Sequence, residues 1–103
     1  MDSIRVYYSS VTGSRQVRQQ QSEVLRILDG RHMKYQLVDI SLDEGLLQEM
    51  RSKAGKPDAI PPQIFNGEDY CGDFEMLFDA IENEEVPKFL KIATRDHVAS
   101  NTS

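Results

Sequence analysis

This 103-residue chain has no tryptophan and only one cysteine, Cys71. A single cysteine excludes an internal disulfide and a zinc site built from several thiolates. The two histidines, His32 and His97, stand far apart in the sequence, so we expect no metal site and no cofactor. Apolar stretches are only a few residues long, which excludes a membrane-spanning helix.

Positive charge is also in short supply, with 12 Lys and Arg against 17 Asp and Glu and a net charge of −5. Affinity for nucleic acids depends on clustered cations, so we expect no nucleic-acid partner. The one basic cluster, Arg15 to Arg18, is predicted to lie on an exposed helix face. No basic and apolar leader precedes the first predicted strand. We therefore expect a cytoplasmic protein, small enough to enter the nucleus, with no membrane partner.

The first half of the chain predicts two strands and two helices. Residues 4–9 and 35–40 are rich in β-branched and aromatic side chains, as in strands. Ser14 is a good N-cap for a first helix, and Gly30 is expected to end it by adopting a positive φ. The glutamines at 19–21 interrupt its apolar face, so its first half is expected to be partly exposed. That face carries Val17, Val24, Leu25 and Leu28.

A second helix should follow residue 40. Ser41 and Glu44 have the spacing of a capping box, in which each side chain accepts from the other's backbone amide. Gly55 is expected to end this helix in the left-handed conformation. Its inward face is predicted to carry Leu46, Leu47, Met50 and Ala54.

The second half predicts a β-hairpin and two further helices. Residues 63–65 and 69–71 are short strands, and Asn66-Gly67 between them is typical of a type I′ turn. Asp73 is the predicted N-cap of a third helix. The inward residues of that helix are expected to be Phe74, Leu77, Phe78 and Ile81. A last short helix should carry Val86, Phe89, Leu90 and Ala93.

The predicted order is β-α-β-α-β-β-α-α. A helix connects the first two strands, so these should be parallel with a right-handed crossover. The last two form a hairpin, which makes the sheet mixed. A four-stranded mixed sheet flanked by helices is the thioredoxin-like architecture of the α/β class. We expect one domain at 1–93 and a flexible C-terminal tail at 94–103.

Four segments together resemble the SH3 domain-binding glutamic acid-rich-like family, a group of glutaredoxin-like proteins. The segments read VTGSR at 11–15, YQLVDIS at 35–41, PPQI at 61–64 and YCGD at 70–73. The resemblance covers residues 4–93 and implies a glutaredoxin-like fold in which Pro62 follows a cis peptide bond. It also implies action through protein partners, as a modulator of glutaredoxin activity or a signalling adaptor.

The catalytic thiol of a glutaredoxin is missing. Glutaredoxins carry Cys-x-x-Cys or Cys-x-x-Ser at the start of the first helix, where free amides stabilise a thiolate. Here the matching positions are Thr12, Gly13, Ser14 and Arg15. Hydroxyl groups form no accessible anion near neutral pH, so this vestigial active-site loop implies no catalytic residue and no enzyme. Its amides, with Arg15 and Arg18, offer an alternative as an anion site.

A candidate surface for a ligand or partner is formed by Pro61, Pro62, Gln63, Gly72 and Asp73. In thioredoxin-like proteins the residue before the cis proline offers its backbone N–H and C=O to a bound thiol peptide. Here that residue is Pro61, which has no N–H. The resemblance therefore implies that glutathione binds weakly or not at all, and that the partner is a protein.

Two alternatives remain open from the residues. Cys71 is either a reactive thiol or a small buried hydrophobic residue. As a reactive thiol it would make the protein a weak monothiol or glutathione-linked oxidoreductase. The prolines at 57, 61 and 62 suggest an SH3 ligand. Such ligands need prolines in P-x-x-P spacing, however, and no pair here is three residues apart. We expect no SH3-domain partner.

Overall fold

The strands form one mixed sheet in the computed structural model, which describes residues 3–92. Within residues 3–92, a 3₁₀ turn at Ile40–Leu42 is the one addition to the predicted order. Met1, Asp2, Ala93 and the predicted tail at 94–103 lie outside the described residues. The elements are β1 (Ile4–Tyr8), α1 (Arg15–Gly30), β2 (Tyr35–Asp39), α2 (Glu44–Ala54), β3 (Gln63–Asn66), β4 (Asp69–Asp73), α3 (Phe74–Glu82) and α4 (Val86–Phe89).

The strand order across the sheet is β2-β1-β3-β4. β1 pairs with β2 in parallel, whereas the β1–β3 and β3–β4 pairs are antiparallel. The mixed four-stranded sheet that the sequence predicts is confirmed. β1 and β2 end where β3 begins. The loop after β1, the loop after β2 and the loop before β3 therefore lie at the same edge of the sheet. Within residues 3–92, every helix is too short or too polar to span a bilayer.

Each face of the sheet has its own core. On one face α1, α3 and α4 cover a cluster that contains Val6, Leu28 and Ile64. On the other face α2 places Met50 against Tyr7 and Phe65. The Tyr7 and Phe65 rings meet edge to face with centroids 5.2 Å apart. Alternation along β1 explains the division, since Val6 and Tyr7 point to opposite faces.

The capping box predicted at Ser41 and Glu44 is wrong. Ser41 lies inside the 3₁₀ turn, and Asp43 is the N-cap of α2, with its carboxylate accepting from the Gly45 amide at 2.8 Å. Gly55 ends α2 with φ 68°, as predicted. Both Ser41 and Asp43 have side chains that can cap the start of α2. Because the 3₁₀ turn after β2 includes Ser41, the helix begins later and Asp43 is its N-cap.

Two turns also differ from the predictions. Gly30 stays inside α1, and the positive φ of 58° falls at His32. Asn66 is the last residue of β3, so the two-residue hairpin loop is Gly67-Glu68 rather than Asn66-Gly67. Gly67 has a φ of 62° at the first loop position, where a type II′ turn places glycine.

The inward face predicted for α3 is partly wrong. Leu77 is fully buried, but Phe78 is 46% exposed and stacks on Phe74 with ring centroids 6.0 Å apart. Ala80, which the prediction left out, is buried instead. The buried face of α3 is therefore narrower than predicted. It contains Leu77 and Ala80, while Phe78 stays at the surface.

Candidate functional site

The loop between β1 and α1 is held by a buried glutamine. The Gln21 side chain accepts from the Ser9 amide at 2.8 Å and donates to the Ser9 carbonyl at 3.1 Å. Gln21 is only 7% exposed, whereas Gln16, Arg18 and Gln19 are exposed, so the first half of α1 is partly exposed, as predicted. The sequence contained the signal, because Val17, Gln21, Val24 and Leu28 recur at helical spacing on the buried side.

The vestigial active-site loop lies at the start of α1 and its hydroxyls serve the backbone. Ser14 is the N-cap, as predicted, and its Oγ accepts from the Val17 amide at 3.2 Å. Thr12 Oγ1 accepts from the Ser14 amide at 3.2 Å, and Arg18 donates to the Thr12 carbonyl at 3.1 Å. Gly13, Ser14 and Arg15 are exposed. The hydroxyls of Thr12 and Ser14 thus act as capping groups at the start of α1.

Asp39, at the end of β2, ties this loop to the neighbouring one. Its Oδ1 accepts from the Ser10 amide at 3.2 Å, the Ser41 amide at 3.0 Å and the Ser41 hydroxyl at 2.6 Å. Burial alone would raise the pKa of the Asp39 carboxyl, but the hydrogen bonds from Ser10 and Ser41 outweigh it and lower that pKa to about 2. No motif in the sequence points to this role of Asp39.

We expect Asp39→Asn to lower the free energy of unfolding by about 1–2 kcal/mol at pH 7. The reason is that the folded-state pKa of Asp39 lies below the ordinary value of 3.8. The carboxylate therefore stabilises the fold above about pH 4, and this contribution is lost as the pH falls from about 4 to about 2. Urea unfolding at pH 7 and at pH 2.5 measures both values.

The matched control is Asp58→Asn, which changes an exposed aspartate. Its effect at pH 7 should stay within about 0.5 kcal/mol. A difference between Asp39→Asn and the wild type that is as large at pH 2.5 as at pH 7 contradicts the assignment.

The loop before β3 is fixed by Gln63. The Pro61–Pro62 peptide bond is cis, and both prolines are buried. Gln63 is 3% exposed; its amide donates to the Ile60 carbonyl at 2.7 Å and accepts from the Tyr70 hydroxyl at 2.6 Å. Tyr70 on β4 thereby holds the proline loop in place through one side chain.

Four of the five predicted surface residues meet around one cavity of about 230 Å³: Pro61, Pro62, Gln63 and Asp73. α1 contributes Gln16 and Gln20, whereas the vestigial loop contributes none of the lining residues. Among the described residues that line the cavity, two are acidic and none is cationic. Asp73 is also the N-cap of α3, as predicted, and accepts from the Met76 amide at 3.0 Å.

Gly72 does not line this cavity. It is buried with φ 149°, and a Cβ there would lie 2.8 Å from Phe89 Cε1 and 2.9 Å from Met76 Sδ. Gly72 therefore allows β4 to pass close to α3 and α4.

Cys71 lies away from the vestigial loop, in the core with Ile4 and Val6, and is 7% exposed. Burial raises the pKa of its thiol to about 11, although Lys91 partly opposes the shift. Cys71 touches a separate cavity of about 380 Å³ beside α3 and α4. Cys71 is interpreted from the sequence either as a reactive thiol or as a buried hydrophobic residue, and the structure favours the second interpretation. Within residues 3–92, no three His, Cys, Asp or Glu side chains gather as a metal site.

Comparison with known proteins agrees with the resemblance in the sequence. A family model described as SH3-binding, glutamic acid-rich protein matches residues 2–93. A Drosophila melanogaster protein, the SH3 domain-binding glutamic acid-rich protein homolog, is 34% identical over 112 residues, which covers 97% of this chain and 71% of the relative.

Solved structures agree on the fold. The C. albicans actin interacting protein Aip5 superposes with a TM-score of 0.72 at 22% identity, over 86% of this chain and 88% of that one. A buckwheat glutaredoxin–glutathione complex gives a TM-score of 0.66 at 14% identity, over 87% and 77% of the two chains. The thioredoxin-like, glutaredoxin-like fold predicted from the sequence is confirmed.

Proposed function

We propose that this chain, which belongs to the family of SH3-binding, glutamic acid-rich proteins, acts by binding a protein partner and not as a thiol oxidoreductase. One observation carries the proposal. Where a glutaredoxin needs its thiolate, this chain has the capping groups of Thr12 and Ser14, and its one cysteine is buried elsewhere. Without a nucleophile at the start of α1, the fold retains a shaped surface and no means of disulfide exchange.

A weak monothiol oxidoreductase that uses Cys71 is the competing function. Exchange needs a thiolate that can reach a disulfide. The Cys71 thiol is 7% exposed, and burial raises its pKa to about 11. Both properties oppose this function.

Glutathione is a poor ligand for the cavity beside Pro61. Pro61 has no N–H, so one of the two main-chain hydrogen bonds to a bound thiol peptide cannot form. The cavity is lined by the carboxylates of Asp73 and Glu75 and by no Lys or Arg. Glutathione carries a net negative charge, so like-charge repulsion adds to the lost hydrogen bond. We propose that this site has no glutathione function.

The names of similar proteins support a protein partner. The family description refers to SH3 binding, and the structural neighbour Aip5 is titled an actin interacting protein. For this chain we do not propose an SH3 domain, because Pro61 and Pro62 are buried and the prolines lack P-x-x-P spacing. The role that suits these features is a modulator of glutaredoxin activity or a signalling adaptor.

Exposed aliphatic side chains beside the vestigial loop suggest where the partner binds. Val11 is 75% exposed and Ile60 is 56% exposed, on the loops that follow β1 and precede β3. These strands are neighbours, so both loops lie at the same edge of the sheet. Contiguous exposed apolar patches mark protein-binding surfaces, and we propose that Val11 and Ile60 belong to one such patch.

The test is capture of cytosolic proteins on the immobilised domain. We expect the double variant Val11→Asp, Ile60→Asp to lose the captured partner by about tenfold or more, since a carboxylate in an apolar contact is left desolvated. Leu37→Asp is the matched control, because Leu37 is 46% exposed on the edge strand β2. Equal capture by the double variant and the wild type contradicts binding at this surface.

A further inference from the structure

An open groove runs along the seam between α1 and α3. It consists of three adjoining cavities of about 230, 420 and 370 Å³. The first and second share Gln16, Gln20 and Phe74, and the second and third share Glu23. We call this continuous depression the α1–α3 groove. It begins beside Pro61 and Pro62 and ends at Arg31.

The groove is open because both helices direct their buried side chains to the sheet. α1 buries Val24 and Leu28 there, and α3 buries Leu77. Phe78 stays 46% exposed at the groove. From Gln16 to Arg31, α1 rises roughly 22 Å at 1.5 Å per residue. A strand of about seven residues has this length.

The end near Pro61 is lined by glutamine amides without partners. The side chains of Gln16, Gln19 and Gln20 make no hydrogen bond to any residue in the described range 3–92, whereas the side chain of the adjacent Gln21 bonds the backbone of Ser9. A carboxamide both donates and accepts, so it can pair with the N–H and C=O groups of an extended main chain. A helix has no such free groups along its length. The amides therefore favour an extended occupant.

The charges in the groove are ordered. Asp73 and Glu75 lie at the end where both helices begin. Glu23 and Arg26 form an ion pair with each other farther along. Arg31 lies at the opposite end and makes no ion pair with any described residue. Between these ends, Phe78 is the exposed apolar side chain.

We propose that the α1–α3 groove binds an extended segment, about seven residues long, of a protein partner. The segment carries a Lys or Arg near Asp73 and Glu75, an apolar side chain against Phe78, and an Asp or Glu near Arg31. This inference rests on the proposed function, since it supplies the class of segment that a binding protein would recognise. Charge order fixes the direction of the segment, and the glutamines hold its main chain.

The test uses a random peptide library displayed on phage, with the full chain as bait. Wild type is expected to enrich peptides with a basic, apolar, acidic order of side chains. Glu75→Lys and Arg31→Glu each reverse one end, and each is expected to weaken a selected peptide about tenfold at low salt. Glu75 and Arg31 are both exposed, so neither change removes a core contact. Glu44→Lys on α2, across the sheet, is the matched control and should leave the affinity unchanged.

The double variant Glu75→Lys, Arg31→Glu keeps the net charge of the protein and reverses the order in the groove. It is expected to prefer peptides with the acidic and basic ends exchanged. Equal preference of the double variant and wild type for one set of peptides overturns the proposal, as does a library without enrichment. The selected peptides can also be titrated into the ¹⁵N-labelled protein. Chemical-shift changes that cluster around Val11 and Ile60 overturn the groove proposal but leave the proposed protein-binding function standing.

Discussion

Replacing Gly72 by alanine should lower the free energy of unfolding by about 2–4 kcal/mol. Two causes add. Gly72 has a φ of 149°, a conformation that L side chains rarely adopt, and the new Cβ would lie 2.8 Å from Phe89 Cε1 and 2.9 Å from Met76 Sδ. Met76 is 43% exposed and can move aside, but the Phe89 ring is packed against the core. Urea unfolding followed by circular dichroism measures the loss.

Gly13→Ala is the control for this substitution. A Cβ on Gly13 meets nothing within 4 Å, so we expect a change within about 0.5 kcal/mol. A Gly72→Ala variant as stable as Gly13→Ala would show that β4 does not approach α3 and α4 as closely as described.

The Cys71 thiol should be alkylated by iodoacetamide at least about 100-fold more slowly in the native protein than in the unfolded chain. Burial raises the pKa of this thiol to about 11 from an ordinary 9.0, which reduces the thiolate fraction at pH 7.5. The small exposed fraction of 7% slows the reagent further. Mass spectrometry follows the reaction directly, because Cys71 is the one cysteine in the sequence.

Cys71→Ser combined with Ser22→Cys provides a reference thiol on the exposed face of α1. Its native and unfolded rates should agree within about tenfold. Native Cys71 reacting as fast as this reference would restore the alternative of a reactive thiol.

Strong local signals in the sequence predicted the sheet and the helix ends that depend on one residue. Ser14, Gly55 and Asp73 each cap the predicted helix. The Ser41–Glu44 prediction failed because Asp39 and Asp43 offer competing caps nearby. Which acceptor meets which amide depends on the 3₁₀ turn, which spacing alone does not reveal.

Tertiary packing decided what the periodicity left open. β4 extends beyond the predicted end at Cys71 to Asp73, and its register against β3 shifts between Ile64 and Phe65. Because of this bulge, Cys71 stands opposite no β3 residue in the register, and it lies in the core, which neither hairpin nor alternation signals indicate. Phe78 shows the same limit, because helical spacing gives its face but not what covers that face.

The sequence predicts several residues of the candidate site but not how they come together. Pro61, Pro62 and Asp73 were identified from the resemblance, and they do meet around one cavity. Of the two α1 glutamines that complete its wall, Gln20 is predicted only as part of a polar interruption of the apolar face, and the sequence gives no signal for Gln16. Helical spacing places Gln21 on the buried side of α1, but it does not reveal the long-range hydrogen bonds by which Gln21 and Asp39 hold the loops.

We propose that this glutaredoxin-like fold has no redox turnover. The most direct measurement is glutathione-dependent reduction of a mixed-disulfide substrate by wild type and Cys71→Ser, with an ordinary glutaredoxin as the positive control. We predict that both proteins give only the uncatalysed rate, because Thr12 and Ser14 supply no thiolate and Cys71 is buried. Wild-type turnover comparable to the positive control, and lost in Cys71→Ser, would contradict the account.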